Sequence, residues 1–115
     1  MKIYHNPKCS KSRQAKQALD ESNINYDVRL YLEDPLKEEE LKKLLIKLDL
    51  SIKDIIRTKE DIWKENFKDK NYTQEELIKI VADNPKLLER PIIEHSNKAV
   101  VARSDDKIAE ILNTY

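Results

Sequence analysis

The chain has 115 residues, 38% of them charged, and its 22 basic side chains are matched by 22 acidic ones. That length suits one domain with a single core. The balanced charge lacks the basic excess of a general nucleic-acid or membrane-surface binder, so neither partner is expected and only a local basic pocket is left room. Glycine is absent altogether, which excludes glycine-based phosphate loops and dinucleotide fingerprints and assigns the tight turns to Asn, Asp, Ser and Pro.

Lys2 to His5 reads as a short strand. Ser10 to Ser22 carries Ala15, Ala18 and Leu19 at helical spacing and closes on Asn23. Tyr26 to Tyr31 alternates Tyr26, Val28 and Leu30 against Asp27, Arg29 and Tyr31, as a second strand would. A β-α-β opening of this kind crosses over right-handed and leaves its strands parallel. Asp34-Pro35 then offers an N-cap with proline at the first helical position, followed by Glu38, Glu39 and Glu40 in the first turn. Leu41, Leu44, Leu45 and Leu48 make the apolar stripe of that helix. Ser51-x-x-Asp54 caps a short helix that turns Ile52, Ile55 and Ile56 inward and ends at Arg57. A looser stretch follows around Trp63 and Phe67, whose rings suit core or edge packing ahead of an interaction patch. Thr73-x-x-Glu76 is a capping box opening a helix with Leu77, Ile80 and Val81 on one face, ended or bent at Asn84-Pro85.

The last section changes character. Arg90 to His95 reads as a strand, Ser96-Asn97 as a turn, and Lys98 to Ala102 as the returning strand. Ser104 caps a final helix with Ile108, Ile111 and Leu112 inward. No apolar run fits a signal peptide or a bilayer span. One unpaired cysteine suits a reducing compartment, with the cytoplasm as the default. A monomer is the default for this size.

The element order predicts an α/β fold of the thioredoxin-like layout, one domain over residues 1–115. Its four-stranded mixed sheet carries helices on both faces, with a helical block inserted at about 34–89. If the third strand runs antiparallel to the first, one rim of the sheet receives Cys9, Arg90-Pro91 and Arg103. Cys9 is the sole cysteine, placed where the first strand hands over to the first helix. Its neighbours are Lys8, Ser10, Lys11 and Ser12, poor company for a core residue. A helix N-terminus and nearby cations, with His5 as a further contributor, favour the thiolate, which is the nucleophilic form. Arg90 and Arg103 at the same rim form a site for a tetrahedral oxyanion, since a guanidinium grips two oxygens at once. Such a thiolate attacking an anion needs positive groups that neutralise both partners.

These residues carry a family resemblance. His5-Asn6-Pro7-x-Cys9-Ser10-x-Ser12-Arg13, Tyr31-Leu32-Glu33-Asp34-Pro35, Ile56-Arg57, Asn84-Pro85, Glu89-Arg90-Pro91-Ile92-Ile93 and Val101-Ala102-Arg103 resemble the glutaredoxin-coupled arsenate reductase (ArsC) family, which also contains Spx-type regulators. The resemblance runs essentially end to end. It implies a nucleophile at Cys9, with His5 helping to depress its pKa, and an oxyanion site of Arg57, Arg90 and Arg103 with Ser10. It also implies a cis Arg90-Pro91 bond and an arsenate-reducing enzyme without metal or bound cofactor. Arg57 enters on the resemblance alone, whereas Arg13 and Lys59 are read as structural or solvated.

The implied cosubstrate is glutathione or a similar thiol, and the implied partner a glutaredoxin-type protein. With no second cysteine, an internal disulfide relay is excluded. Ala15 stands where a Cys-x5-Arg phosphatase-like loop needs arginine. The chain departs from the family after Arg103, where Ser104, Asp105 and Asp106 follow and bring negative charge toward the oxyanion pocket. Two rivals remain open at this point. One is a glutathione-dependent thiol reductase of the same fold with another substrate. The other is an Spx-like regulator binding RNA polymerase, although Ser12 removes the Cys-x-x-Cys switch such sensors carry.

Overall fold

Ile3, Ile93 and Val100 occupy one row across the middle of a four-stranded sheet, and around them the fold is built. The computed structural model describes all of residues 1–115. The strands are β1 (Lys2–Tyr4), β2 (Asp27–Arg29), β3 (Ile92–His95) and β4 (Lys98–Val101), in the order β2-β1-β3-β4. β1 runs parallel to β2 and β4 returns antiparallel to β3, as the element order predicts, and β1 is antiparallel to β3, the condition for one rim to receive Cys9, Arg90 and Arg103. Two helices cover this sheet, α1 (Ser10–Glu21) and α5 (Asp105–Leu112). Ala15 and Leu19 of α1 and Ile108 and Ile111 of α5 close one buried cluster with Ile3, Ile93, Val100 and Ala102. Both helices of this unit therefore lie on one face of the sheet. Residues 1–34 and 90–115 make up this compact unit.

Residues 35–89 form a second compact unit, all helical. It contains α2 (Glu38–Leu48), a 3-10 turn at Ile52–Ile55, α3 (Asp61–Asn66), α4 (Gln74–Asp83) and a 3-10 turn at Pro85–Leu87. α2 packs on α4, burying Leu41, Leu44 and Leu48 from one and Leu77, Ile78 and Val81 from the other. Residues 55–57 pair with 87–89 through Glu89 N–H to Ile55 O at 2.8 Å and Arg57 N–H to Leu87 O at 2.8 Å. No helix is long and apolar enough to cross a membrane.

Several boundaries differ from the sequence expectation, each for a local reason. β2 spans three residues because its only partner, β1, offers three, and the chain then turns through Asp34 N–H to Leu30 O at 2.9 Å. Its burial also departs from the alternation: Val28 and Leu30 stay 42% and 37% exposed, while Tyr31 is 1% exposed. Val28 shares the row of Ile3, but an edge strand has a neighbour on one side only. Asp34-Pro35 does not start α2. The helix opens three residues later, where the Glu40 carboxylate takes the Lys37 N–H at 3.0 Å. Ile78, not Ile80, joins Leu77 and Val81 in the buried face of α4. The stretch around Trp63 holds a short helix, α3.

The missing glycine leaves a visible trace. Asn23, Asp49, Asp69 and Ser96 all adopt positive φ, the left-handed region that Asn and Asp tolerate best after glycine. These are the residue types the glycine-free composition assigned to turns. Ile93→Ala is expected to destabilise the chain by about 2–5 kcal/mol in denaturant melts, since Ile93 is fully buried at the centre of the sheet. Ile46→Ala, at an exposed position, is expected to stay within about 0.5 kcal/mol of the parent.

Candidate active site

Tyr4 lies opposite Arg29 on one side and Ile92 on the other, and Ile92 lies opposite Val101. The loop after Tyr4, the Arg90-Pro91 pair before Ile92 and Ala102-Arg103 after Val101 consequently meet at one rim. The Arg90-Pro91 peptide is cis.

The loop between β1 and α1 is short and tightly bonded. Asn6 Oδ1 accepts the Lys8 N–H at 3.1 Å, and Asn6 O accepts the Cys9 N–H at 3.0 Å. Arg13, read as structural or solvated, donates from Nη1 to Pro7 O at 3.0 Å. Ser12, fully buried, accepts the Asn6 N–H on its Oγ at 2.9 Å and shares a 2.6 Å hydrogen bond with Nδ1 of buried His5. The sequence reading passed over Ser12 as a positioning residue. Its only signal there was the Asn6-Pro7 turn, which needs something in the following helix to tie it down.

Cys9 is the N-cap of α1, half-buried, with extended backbone. Burial pushes its thiol pKa up, but the net shift is downward. The Ser12 N–H, the Arg90 charge, the Lys11 N–H and the Arg103 side chain together outweigh the burial. No geometric cap hydrogen bond closes on the sulfur, so the two first-turn N–H groups act as oriented dipoles facing it, which favours the anion. Arg103 also donates from Nη1 to Arg90 O at 2.8 Å, which ties the two arginine segments together.

The surroundings of His5 work against the positive charge expected of it. Burial first, then the charges of Lys16 and Arg13, lower its pKa and favour neutral imidazole. Its visible role is to hold Ser12. Ser10 is exposed at the first position of α1, with its backbone N–H in the open first turn. Arg57 belongs to the helical unit, where its Nη1 donates to Lys86 O at 3.4 Å and lies 3.5 Å from Glu60 Oε1. Beside Cys9's helix lies a pocket of about 110 Å³ lined by Lys11, Gln14, Arg103, Ser104, Asp105 and Ile108. Asp105 thus does face the cavity Arg103 faces, while Asp106 is not part of its lining. Both acids sit in the first turn of α5, where they complement the helix dipole. Nowhere do three His, Cys, Asp or Glu side chains gather as a metal site.

The arrangement of thiol, helix N-terminus and two guanidinium groups favours nucleophilic attack on an anionic centre. Comparison with known proteins points the same way. The ArsC family model matches residues 4–111. An uncharacterized Escherichia coli protein, YfgD, is 43% identical over 97% of this chain and 96% of its own length. An arsenate reductase of Neisseria meningitidis is 41% identical, covering 97% of each chain. The solved structure of an arsenate reductase from Vibrio cholerae superposes with a TM-score of 0.89 at 39% identity, over 96% of this chain and 98% of that one. A global transcriptional regulator, Spx 1 of Bacillus cereus, is 32% identical over 96% of this chain and 85% of its own.

Two measurements bear on the site. Thiolate absorbance followed against pH is expected to show Cys9 titrating below the ordinary cysteine range, about 8.5, and Arg90→Gln is expected to move the midpoint upward. Because the folded pKa lies below the unfolded one, the thiolate's stabilising contribution is complete above the unfolded pKa and is lost as pH falls through the folded one. Ser12→Ala leaves the Asn6 N–H and His5 Nδ1 without their shared partner in a buried setting, and is expected to lower stability by about 1–3 kcal/mol in chemical denaturation.

Proposed function

The chain belongs to the ArsC family, and from that premise we propose that it is an arsenate reductase whose nucleophile is the Cys9 thiolate. The observation that carries this reading is the electrostatic setting of Cys9, whose pKa is lowered by helix N–H groups, Arg90 and Arg103 acting against burial. Arsenate is a tetrahedral oxyanion, and guanidinium groups suit it by charge and by fork geometry. The same two arginines that stabilise the thiolate also neutralise the incoming anion, which removes the main barrier to bringing two negative partners together. In this reading Ser10 adds its first-turn N–H to the oxyanion site. Arg57 joins as a third guanidinium on the strength of the family resemblance. His5 acts through Ser12, as a positioning residue.

The chemistry balances with one protein sulfur. Cys9 sulfur bonds to As(V) and a hydroxyl leaves as water. A small thiol, glutathione or an equivalent, then attacks the Cys9 sulfur. The S–As bond breaks, its electron pair goes to arsenic, and As(III) departs as arsenite. Cys9 is left in a mixed disulfide with the small thiol. A second external thiol, from a glutaredoxin-type protein, restores the free cysteine. The external route is forced by the composition, since Cys9 is the only cysteine. A thiol that must be re-reduced after every turnover suits a reducing compartment, the cytoplasm.

A specific feature favours a second reading within the same chemistry. Asp105 lines the pocket that Arg103 and Lys11 line, and a carboxylate there disfavours a dianion, so a thiol reductase with a different substrate is the runner-up. An Spx-like regulatory role has less support: Ser12 takes the place of the second switch cysteine, and its hydroxyl is committed to His5 and Asn6.

Intact mass of the reduced protein after incubation with glutathione, with and without arsenate, separates these readings. An adduct on Cys9 that forms only with arsenate, and is absent in Cys9→Ser, is the expected result. Arg103→Lys is expected to keep the thiol and raise KM for arsenate by about tenfold, because an ammonium cannot grip two oxygens. An adduct that forms equally without arsenate would demote arsenate in favour of the runner-up.

A further inference from the structure

The helical unit holds a cavity of about 280 Å³ that the arsenate chemistry does not use. Buried Ile56 and Leu77 supply apolar wall, and half-buried Trp63 and Tyr72 supply aromatic wall. Trp63, Phe67 and Tyr72 touch as a triangle, with ring centroids 5.8, 6.4 and 6.3 Å apart and no pair stacked face to face. The chain has one Trp, one Phe and five Tyr, so nearly half of its aromatic rings gather here. Local structure accounts for part of this. Tyr72 precedes the Thr73 cap and Leu77 is the fourth residue of α4, the two positions of a hydrophobic staple. A staple does not call for Trp63, nor for an open cavity beside it.

The charges lining the cavity have one sign. Lys53 and Lys70 line it and no Asp or Glu does, in a chain whose acidic and basic residues are equal in number at 22 each. Lys70 Nζ reaches Asn66 O at 3.4 Å, the long end of a hydrogen bond. Lys53 is exposed and makes no ion pair or hydrogen bond. Thr58 and Asn71 add neutral polar groups able to donate to an oxygen. Concave, mainly apolar walls with a few convergent polar groups are the usual make-up of a small-molecule site, and this volume lies at the small end of that class, about 300 Å³.

We propose that this cavity binds a small planar aromatic carboxylate of one or two rings, its ring against Trp63 and Tyr72 and its carboxylate on Lys53 and Lys70. The aromatic walls select a flat apolar body. The two ammonium groups select an anion and reject a cation of the same shape. This site is independent of the thiol chemistry and stands whether or not arsenate is the substrate.

Trp63 is the only tryptophan, so its indole N–H gives a single, assignable resonance in the intact protein. Titration with naphthoate is expected to shift that resonance saturably, together with the amides of Thr58, Asn71 and Tyr72. Naphthylmethylammonium, of like shape and opposite charge, is expected to bind at least about tenfold more weakly. Lys53→Glu, an exposed change that leaves the walls intact, is expected to weaken naphthoate and narrow the gap between the two probes. Tyr72→Ala is expected to remove the shift, with the remaining amide resonances reporting that the chain is folded. No saturable shift with naphthoate would overturn the proposal, and so would equal binding of both probes or an unchanged affinity in Lys53→Glu.

Discussion

Strand β1 is three residues long, yet it is the only strand paired on both sides to partners of opposite sense. Its register with β3 sets Ile3 beside Ile93, and Ile93 in turn beside Val100, so that one continuous apolar row packs under α1 and α5. The next row, Tyr4, Ile92 and Val101, is where three chain segments leave or join the sheet. A slip of one residue would turn the apolar row out of the core and carry Arg90 and Arg103 away from Cys9. Burial of Ile3 and Ile93, both fully inaccessible, is thus what holds the polar site in place. The chemistry at the rim depends on hydrophobic packing one row away.

The ionisation of Cys9 is decided by competing effects of different origin. Desolvation opposes the anion, while the amides of the first turn and two guanidinium groups support it. His5 would be the obvious extra cation, but its burial and the charges of Lys16 and Arg13 favour its neutral form. Neutral imidazole can pair with a hydroxyl, and this one does so with Ser12. That pairing anchors the Asn6 N–H and fixes the turn that delivers Cys9 to the helix N-terminus. The histidine thereby influences the thiol through geometry, and the arginines influence it through charge.

The helical unit solves a different problem. Without glycine, its turns rest on Asp49 and Asp69 in the left-handed region and on side-chain caps at Ser51 and Thr73. The cap at Thr73 is reciprocal, with the Glu76 carboxylate taking the Thr73 N–H and the Thr73 hydroxyl taking the Glu76 N–H. Short local bonds of this kind need few residues, and Phe67 and Tyr72, in the stretch between α3 and α4, gather against Trp63 of α3, with Trp63 and Tyr72 lining a cavity.

Much of this was legible in the linear chain because it depends on neighbours in sequence. Helical spacing identified α1, α2, α4 and α5, reciprocal caps identified the starts at Ser51 and Thr73, and the lone Cys9 among Lys and Ser stood out as the candidate nucleophile. The order of strands and helices was enough to say that Cys9, Arg90 and Arg103 would meet at one rim if β3 ran antiparallel to β1, and the structure supplies that pairing. What depends on partners distant in sequence was not legible. The length of β2 and its place at the sheet edge were set by its one neighbour, so Val28 stays exposed although it shares the row of Ile3, and Tyr31 is buried beyond the strand. The lowered pKa of His5 and the buried role of Ser12 follow from desolvation, which exists only once the chain has closed over them. Sequence alone determined which residue types are available for the chemistry and where most of the helices fall, since those are matters of residue type and period. Tertiary structure alone decided which of these residues lose water and whose charges they then feel, because solvation and Coulomb interaction depend on distance through space.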